Sequence, residues 1–175
     1  MAGNLPFVFD PWFLESLTLS FTMKKPGKII SILLAEDDPD DRQLTHDALT
    51  ECRLANDVHF VENGEELLDY LARRGPYAKF AGDPLPGLIL LDLNMPRMDG
   101  REALREIKAH PDFRRIPVVV LTTSKAEEDI LRSYDLGVNS YITKPVTFES
   151  LVEIVKILGK YWFEIVELPP DDTVA

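Results

Sequence analysis

Cysteine is nearly absent from the 175-residue chain: Cys52 stands alone, so no disulfide can form within it, which suits a reducing compartment. Basic residues are also scarce. Nineteen Lys and Arg face 30 Asp and Glu, for a formal net charge of −11 at pH 7. That balance argues against a nucleic-acid-binding surface, because neutralising phosphates takes clustered Lys and Arg. No long hydrophobic run is present either. The most apolar stretch near the start, residues 7–21, contains Asp10 and Glu15 and is short for a membrane span. No basic residue precedes it, so it lacks a signal peptide's charged beginning. Internal repeats are absent as well. A cytoplasmic protein that binds neither nucleic acid nor membrane is the expectation.

What remains is ordinary folded-domain material, 45% hydrophobic and 28% charged. The length suits one domain with a substantial core. Residues 1–27 read as an N-terminal extension, 28–163 as the domain and 164–175 as a C-terminal tail. Residues 7–21 read equally well as an amphipathic extension or as sequence upstream of a true start at Met23, which opens Met-Lys-Lys-Pro-Gly-Lys.

From Lys28 onward, short apolar runs alternate with amphipathic stretches. Residues 29–35 form a continuous apolar run of the kind buried on both faces of a parallel sheet. Asp38-Pro39-Asp40-Asp41 then supplies an N-cap, a proline at the first helical position and acids in the first turn. Leu44, Ala48 and Cys52 mark the expected buried stripe of that helix. A strand at 57–61 and a helix capped by Asn63 follow, the helix carrying Leu67, Leu68 and Leu71. Residues 75–87 hold three prolines and three glycines and read as a long loop. Further strands are expected at 88–91, 117–121 and 140–143. Helices are expected from Asp99 or Gly100 to near His110, over 126–136 with Gly137 as the stop, and over 148–163. Strands alternating with helices demand right-handed crossovers. The predicted fold class is therefore α/β, a doubly wound five-stranded parallel sheet.

Ligands in such sheets bind beyond the carboxyl ends of the strands, and the reactive residues of this chain fall there. Strand one runs into Glu36-Asp37-Asp38, strand three into Asp92-Leu93-Asn94, strand four into Thr122-Thr123-Ser124 and strand five into Lys144-Pro145. Carboxylates brought together repel one another unless a cation intervenes. A few hard oxygen ligands suit Mg²⁺, with Mn²⁺ as a substitute. Asp37 and Asp92 are the direct ligands expected, with the main-chain carbonyl of Asn94, and Glu36 acting through water. Taken alone, the acids at 36–41 would be no more than a solvated helix start; a hydroxyl and an ammonium at the same edge alter that reading.

Ala35-Glu36-Asp37-Asp38-Pro39, then residues 90–100 (Leu-Leu-Asp-Leu-Asn-Met-Pro-Arg-Met-Asp-Gly), then Leu121-Thr122-Thr123 and Lys144-Pro145, together resemble the response-regulator receiver family. The resemblance spans roughly residues 29–158 and implies a flavodoxin-like receiver fold. It implies that Asp92 is the phospho-accepting aspartate and that Asp37 with Glu36 is the acidic pair holding Mg²⁺. By the same resemblance Thr122 is the switch hydroxyl, Lys144 the lysine that pairs with the phosphoryl group, and Tyr141 the aromatic that reports the switch. The phosphoryl donor is then a sensor histidine kinase.

The 75–87 loop, the Leu121-Thr122-Thr123-Ser124 run and the Tyr161-Trp162 tail look like the stand-alone receivers that partner phytochrome kinases. In the last helix Leu151, Ile154, Val155, Leu158 and Trp162 form one apolar stripe, and Val152, Ile157, Tyr161 and Phe163 add a second. Self-association through the second face, giving a homodimer, is expected above its packing under residues 165–168 or the N-terminal extension. His46 and His59 read as packing or surface residues, and His110 as a cation suited to a helix end.

Two rivals remain. An aspartyl-phosphate phosphatase would usually carry a second aspartate two residues after its nucleophile as general acid; Asn94 stands there and cannot serve. A receiver-like scaffold that works without phosphorylation would have lost some of these residues, and all are present.

Overall fold

A computed structural model describes residues 31–54, 57–124 and 126–162. Strands and helices alternate: β1 (Ile32–Ala35), α1 (Pro39–Glu51), β2 (Val58–Val61), α2 (Gly64–Leu71), β3 (Leu88–Leu91), α3 (Gly100–Ala109), β4 (Val118–Thr122), α4 (Glu127–Asp135), β5 (Ser140–Thr143) and α5 (Phe148–Lys160). All strand pairings are parallel and the order is β2-β1-β3-β4-β5. This is the doubly wound, flavodoxin-like arrangement. The order reverses between β1 and β3, so a crevice opens beyond their carboxyl ends.

The two faces of the sheet explain the unbroken apolar strands. Successive side chains point to opposite faces. Leu33, Ala35, Ile89, Leu91, Val118 and Val120 pack with Leu67 and Leu71 of α2 and with Ala103, Leu104 and Ile107 of α3. Ile32, Leu34, Leu88, Leu90, Val119 and Leu121 pack on the other side with Ala48 and Leu49 of α1 and Leu151, Val152 and Val155 of α5. Each fully buried aliphatic side chain here stabilises the fold by about 1.5–3 kcal/mol relative to exposure.

Local chemistry starts the helices where the sequence says it should. The Asp38 side chain accepts from the Asp40 and Asp41 amides, Asn63 from Glu66, Asp99 from Arg101 and Glu102, and Thr147 from Ser150.

Three expectations need correction. Leu44 is 43% exposed, and the buried stripe of α1 is Thr45, Ala48 and Leu49 with Cys52 behind them. Leu44 lies at the edge of that stripe, about 40° of helix from Ala48 but about 100° from Thr45. The 75–87 loop is not structureless: Gly75–Phe80 form a 3₁₀ turn. Its Tyr77 and Phe80 rings sit 5.4 Å from Tyr70, which draws this segment onto the core. In α5, Val152 belongs to the core, so the second apolar face reduces to Ile157 and Tyr161, 69% and 46% exposed. Phe163, residues 1–30 and residues 163–175 lie outside the described residues, and so do the extension, the tail and the packing suggested for them.

Candidate functional site

The carboxyl ends of β1, β3, β4 and β5 meet as their ladders dictate. The Asp92 amide donates to the Ala35 carbonyl (3.0 Å), carrying the β1–β3 pairing one residue past the strands. The Lys144 amide donates to the Thr122 carbonyl (2.7 Å), doing the same for β4 and β5. Residues 52 positions apart in sequence are thereby delivered to one pocket: Lys144 Nζ lies 3.2 Å from Asp92 Oδ2.

Glu36, Asp37 and Asp92 each offer an oxygen, and these oxygens all lie within 4.8 Å of one another. Glu36 and Asp92 are 1% and 5% exposed, while Asp37 is partly exposed. Asp38 takes no part, because its carboxylate is occupied by the α1 amides, whose hydrogen bonds hold it below the usual carboxylate range. Burial pushes the Glu36 carboxyl up to about 7, despite the opposing pull of Lys144. Three hard oxygen donors from two strands, one of them too dry to ionise readily, make a donor set that fits a small divalent cation.

Lys144 Nζ donates to Glu36 Oε2 (2.5 Å), Asp41 Oδ2 (2.7 Å) and Asp92 Oδ2 (3.2 Å). Burial alone would lower this ammonium's pKa. Its hydrogen bonds to Asp41 and Glu36 and the charges of Glu36 and Asp92 outweigh burial and raise it above the ordinary lysine value. The lysine is therefore a fixed positive charge at neutral pH. Asp92 Oδ1 accepts from the Asn94 amide (3.2 Å), which orients the carboxylate, and Asn94 itself is exposed at the rim.

Thr122 is completely buried at the end of β4, and its Oγ1 accepts weakly from the Ser124 amide (3.4 Å). Tyr141 is half-buried against the α2–α3 face and donates its hydroxyl to the Ser124 carbonyl (3.1 Å). The β4–α4 loop is thus tied to both residues that the sequence assigns to switching.

Two features escaped the sequence reading. By its place in the sequence Asp41 is a helix-start acid, yet it reaches Lys144. It stands one turn before Thr45 on the true buried stripe of α1, and that periodicity was the available signal. Arg101 forms a bidentate pair with Asp129, Nε to Oδ1 at 2.7 Å and Nη2 to Oδ2 at 2.6 Å, and Ser124 Oγ also donates to Asp129 (2.6 Å). The Arg101 and Ser124 hydrogen bonds hold the Asp129 carboxyl down at about 2. This network joins the start of α3, just after the Asp92 loop, to α4, and nothing in local sequence spacing announces it.

Residues 32–156 match the family model described as the response regulator receiver domain. The chain is 42% identical over 144 residues to the response regulator Rcp1 of the cyanobacterium Synechocystis, covering 82% of this chain and 95% of that protein. Among solved structures it is similar to the phosphorylated cyanobacterial phytochrome response regulator RcpA, with 45% identity and a TM-score of 0.74 over 81% of this chain and 99% of that one. It is similar also to the Mn²⁺-bound form of Rcp1, with 42% identity and a TM-score of 0.73 over 81% and 99% of the two chains.

The chain belongs to the response regulator receiver domain family. Its function is that of a two-component response regulator, a signalling switch that accepts a phosphoryl group from a histidine kinase.

Proposed function

We propose that Asp92 is the phosphoryl acceptor, and the observation that carries this is the ammonium of Lys144 within 3.2 Å of a buried Asp92 carboxylate flanked by Glu36 and Asp37. An Asp92 oxygen attacks the phosphorus of a phosphohistidine, the P–N bond breaks, and the imidazole leaves with a proton on the kinase. Catalysis in such a transfer is positioning and charge neutralisation rather than covalent help. The Asn94 amide and Lys144 hold the nucleophile in place, and Lys144 offsets charge on the entering phosphoryl oxygens. Asp37, Asp92 and the Asn94 main-chain carbonyl would hold Mg²⁺ or Mn²⁺, with Glu36 acting through water. That ion, when bound, supplies the positive charge needed to bring an anionic donor to an acidic site.

The acyl phosphate adds nearly two negative charges and three acceptor oxygens. Thr122 donates its hydroxyl to it, the β4–α4 loop follows, and Tyr141, bonded to that loop through Ser124, moves with it. The α4–β5–α5 surface changes in consequence. The protein promotes only its own phosphorylation and dephosphorylation.

The donor kinase is a phytochrome, a reading supported by the likeness to Rcp1 and RcpA. Exposed Ile157 and Tyr161 on α5 favour a homodimer through that helix. The acidic charge and the absence, among described residues, of any helix long and apolar enough to cross a membrane favour a cytoplasmic protein that binds no nucleic acid.

Phosphotransfer profiling against the histidine kinases of the source genome tests this, with Asp92→Asn as control. One phosphoryl group per chain, delivered in the presence of Mg²⁺ by a light-regulated kinase and absent from Asp92→Asn, is the expected result. Phosphate incorporation that survives in Asp92→Asn would refute the assignment. Sedimentation across a concentration range tests the dimer, which a monomer at every concentration would rule out.

A further inference from the structure

An ammonium has three hydrogens to donate. In Lys144 three carboxylates are within reach of them: Glu36, Asp41 and Asp92. The Asp92 oxygen that bonds phosphorus gives up its charge to the phosphoryl group, whose oxygens then compete for the ammonium with the two carboxylates that remain, Glu36 and Asp41. The cost of withdrawal differs sharply between these two. The Glu36 side chain is 2% exposed, so it would be left dry and unpaired. Asp41 is 38% exposed. Asp41 and Lys144 also line an open groove with Thr123, Pro145 and Phe148, so a released Asp41 carboxylate turns straight into water. Its backbone need not move, because its amide stays bonded to the Asp38 cap.

We propose that Asp41 is a positioning residue that holds the Lys144 ammonium in the resting protein and surrenders it to the phosphoryl group on Asp92. The inference rests on Asp92 being the acceptor and adds a residue that the acceptor chemistry does not require. Asp41 competes with the phosphoryl oxygens for one proton donor, so it weakens the phosphorylated state in proportion to its own hold on Lys144. The competition is local. It depends on Lys144 and not simply on one more negative charge near an anion site.

Beryllofluoride, a phosphoryl mimic that attaches to a carboxylate, reads this at equilibrium in the full chain with excess Mg²⁺. Asp41→Asn should tighten its binding by about two- to fivefold, the scale of a half-exposed ion pair. Asp41→Glu, which keeps the charge, should stay near the wild-type affinity. In a Lys144→Met background the Asp41→Asn gain should disappear. Should Lys144→Met not fold, salt makes the same distinction: a gain that persists at 1 M ionic strength reflects contact, and one that vanishes reflects only the general field.

Unchanged or weaker binding in Asp41→Asn overturns the proposal, as does an equal gain with and without Lys144. In either case wild-type binding of beryllofluoride at Asp92 would stand, leaving the acceptor assignment intact. No binding by the wild type would remove both.

Discussion

Gly100 sits directly against the backbone of Asp92: a Cβ on Gly100 would overlap the Asp92 carbonyl oxygen and stand 2.8 Å from the Leu93 Cα. The Gly100 amide also donates to the Leu93 carbonyl (3.0 Å). The first residue of α3 and the end of β3 are therefore in contact with no room between them, and the atoms in the way are backbone rather than a flexible side chain that could step aside. Gly100→Ala should cost about 1–3 kcal/mol through overpacking. Urea unfolding should show a lower midpoint at unchanged slope. The surviving folded protein should take phosphate more slowly, because relief of the clash shifts Asp92 itself. Wild-type stability in Gly100→Ala would mean that the loop yields freely.

The Arg101–Asp129 pair fastens the α3 start to α4, with both side chains largely buried. Arg101→Ala leaves Asp129 without its main partner and should cost about 1–3 kcal/mol. The pH dependence has a definite sign. Asp129 titrates at about 2 in the folded protein and at 3.8 ordinarily, so the pair's stabilisation is complete above pH 4. It is lost as pH falls from 4 towards 2. The stability gap between wild type and Arg101→Ala should be flat from pH 5 to 7 and shrink below pH 4. A gap that widens on acidification would contradict this account.

Most of the fold was legible because each strand is buried on both faces and each helix start carries its own cap. Asp38, Asn63 and Asp99 signal helices through bonds to amides two or three residues away, which is information local to the chain. The acceptor, the acidic pair and Lys144 were legible because a parallel sheet brings every strand's carboxyl end to one side. What was not legible depends on rotation and reach. The Asp41–Lys144 contact joins residues 103 positions apart, and Asp41's place on the buried face of α1 is its only local sign. The Arg101–Asp129 contact spans 28 residues between two helices, and only their packing against the sheet fixes it. The Gly75–Phe80 turn owes its shape to Tyr70, whose ring gathers Tyr77 and Phe80.

Thr122 should separate phosphate uptake from response. Its side chain is fully buried and reaches the β4–α4 loop through the Ser124 amide, whereas the nucleophile is held by Asn94 and Lys144. Thr122→Ala should still accept one phosphoryl group per chain. Amide chemical-shift changes across α4, β5 and α5 on phosphorylation should fall to a small fraction of the wild-type ones. If those shifts persist in full, the hydroxyl is not the link.

Divalent ions should stabilise the protein, and increasingly so as pH rises. Glu36 is held at about 7 in the folded chain against 4.5 ordinarily, so without an ion the folded state keeps a proton that the unfolded state gives up. Its burial therefore costs stability progressively as pH climbs from about 4.5 through 7. A cation among Glu36, Asp37 and Asp92 competes with that proton and favours the ionised cluster. Mg²⁺ at ten times its Kd should add about 1.4 kcal/mol. The increment in unfolding free energy should be larger at pH 7.5 than at pH 5.5, and Asp37→Ala should lose most of it at both. An increment independent of pH, or one that survives Asp37→Ala intact, would place the ion somewhere other than this cluster.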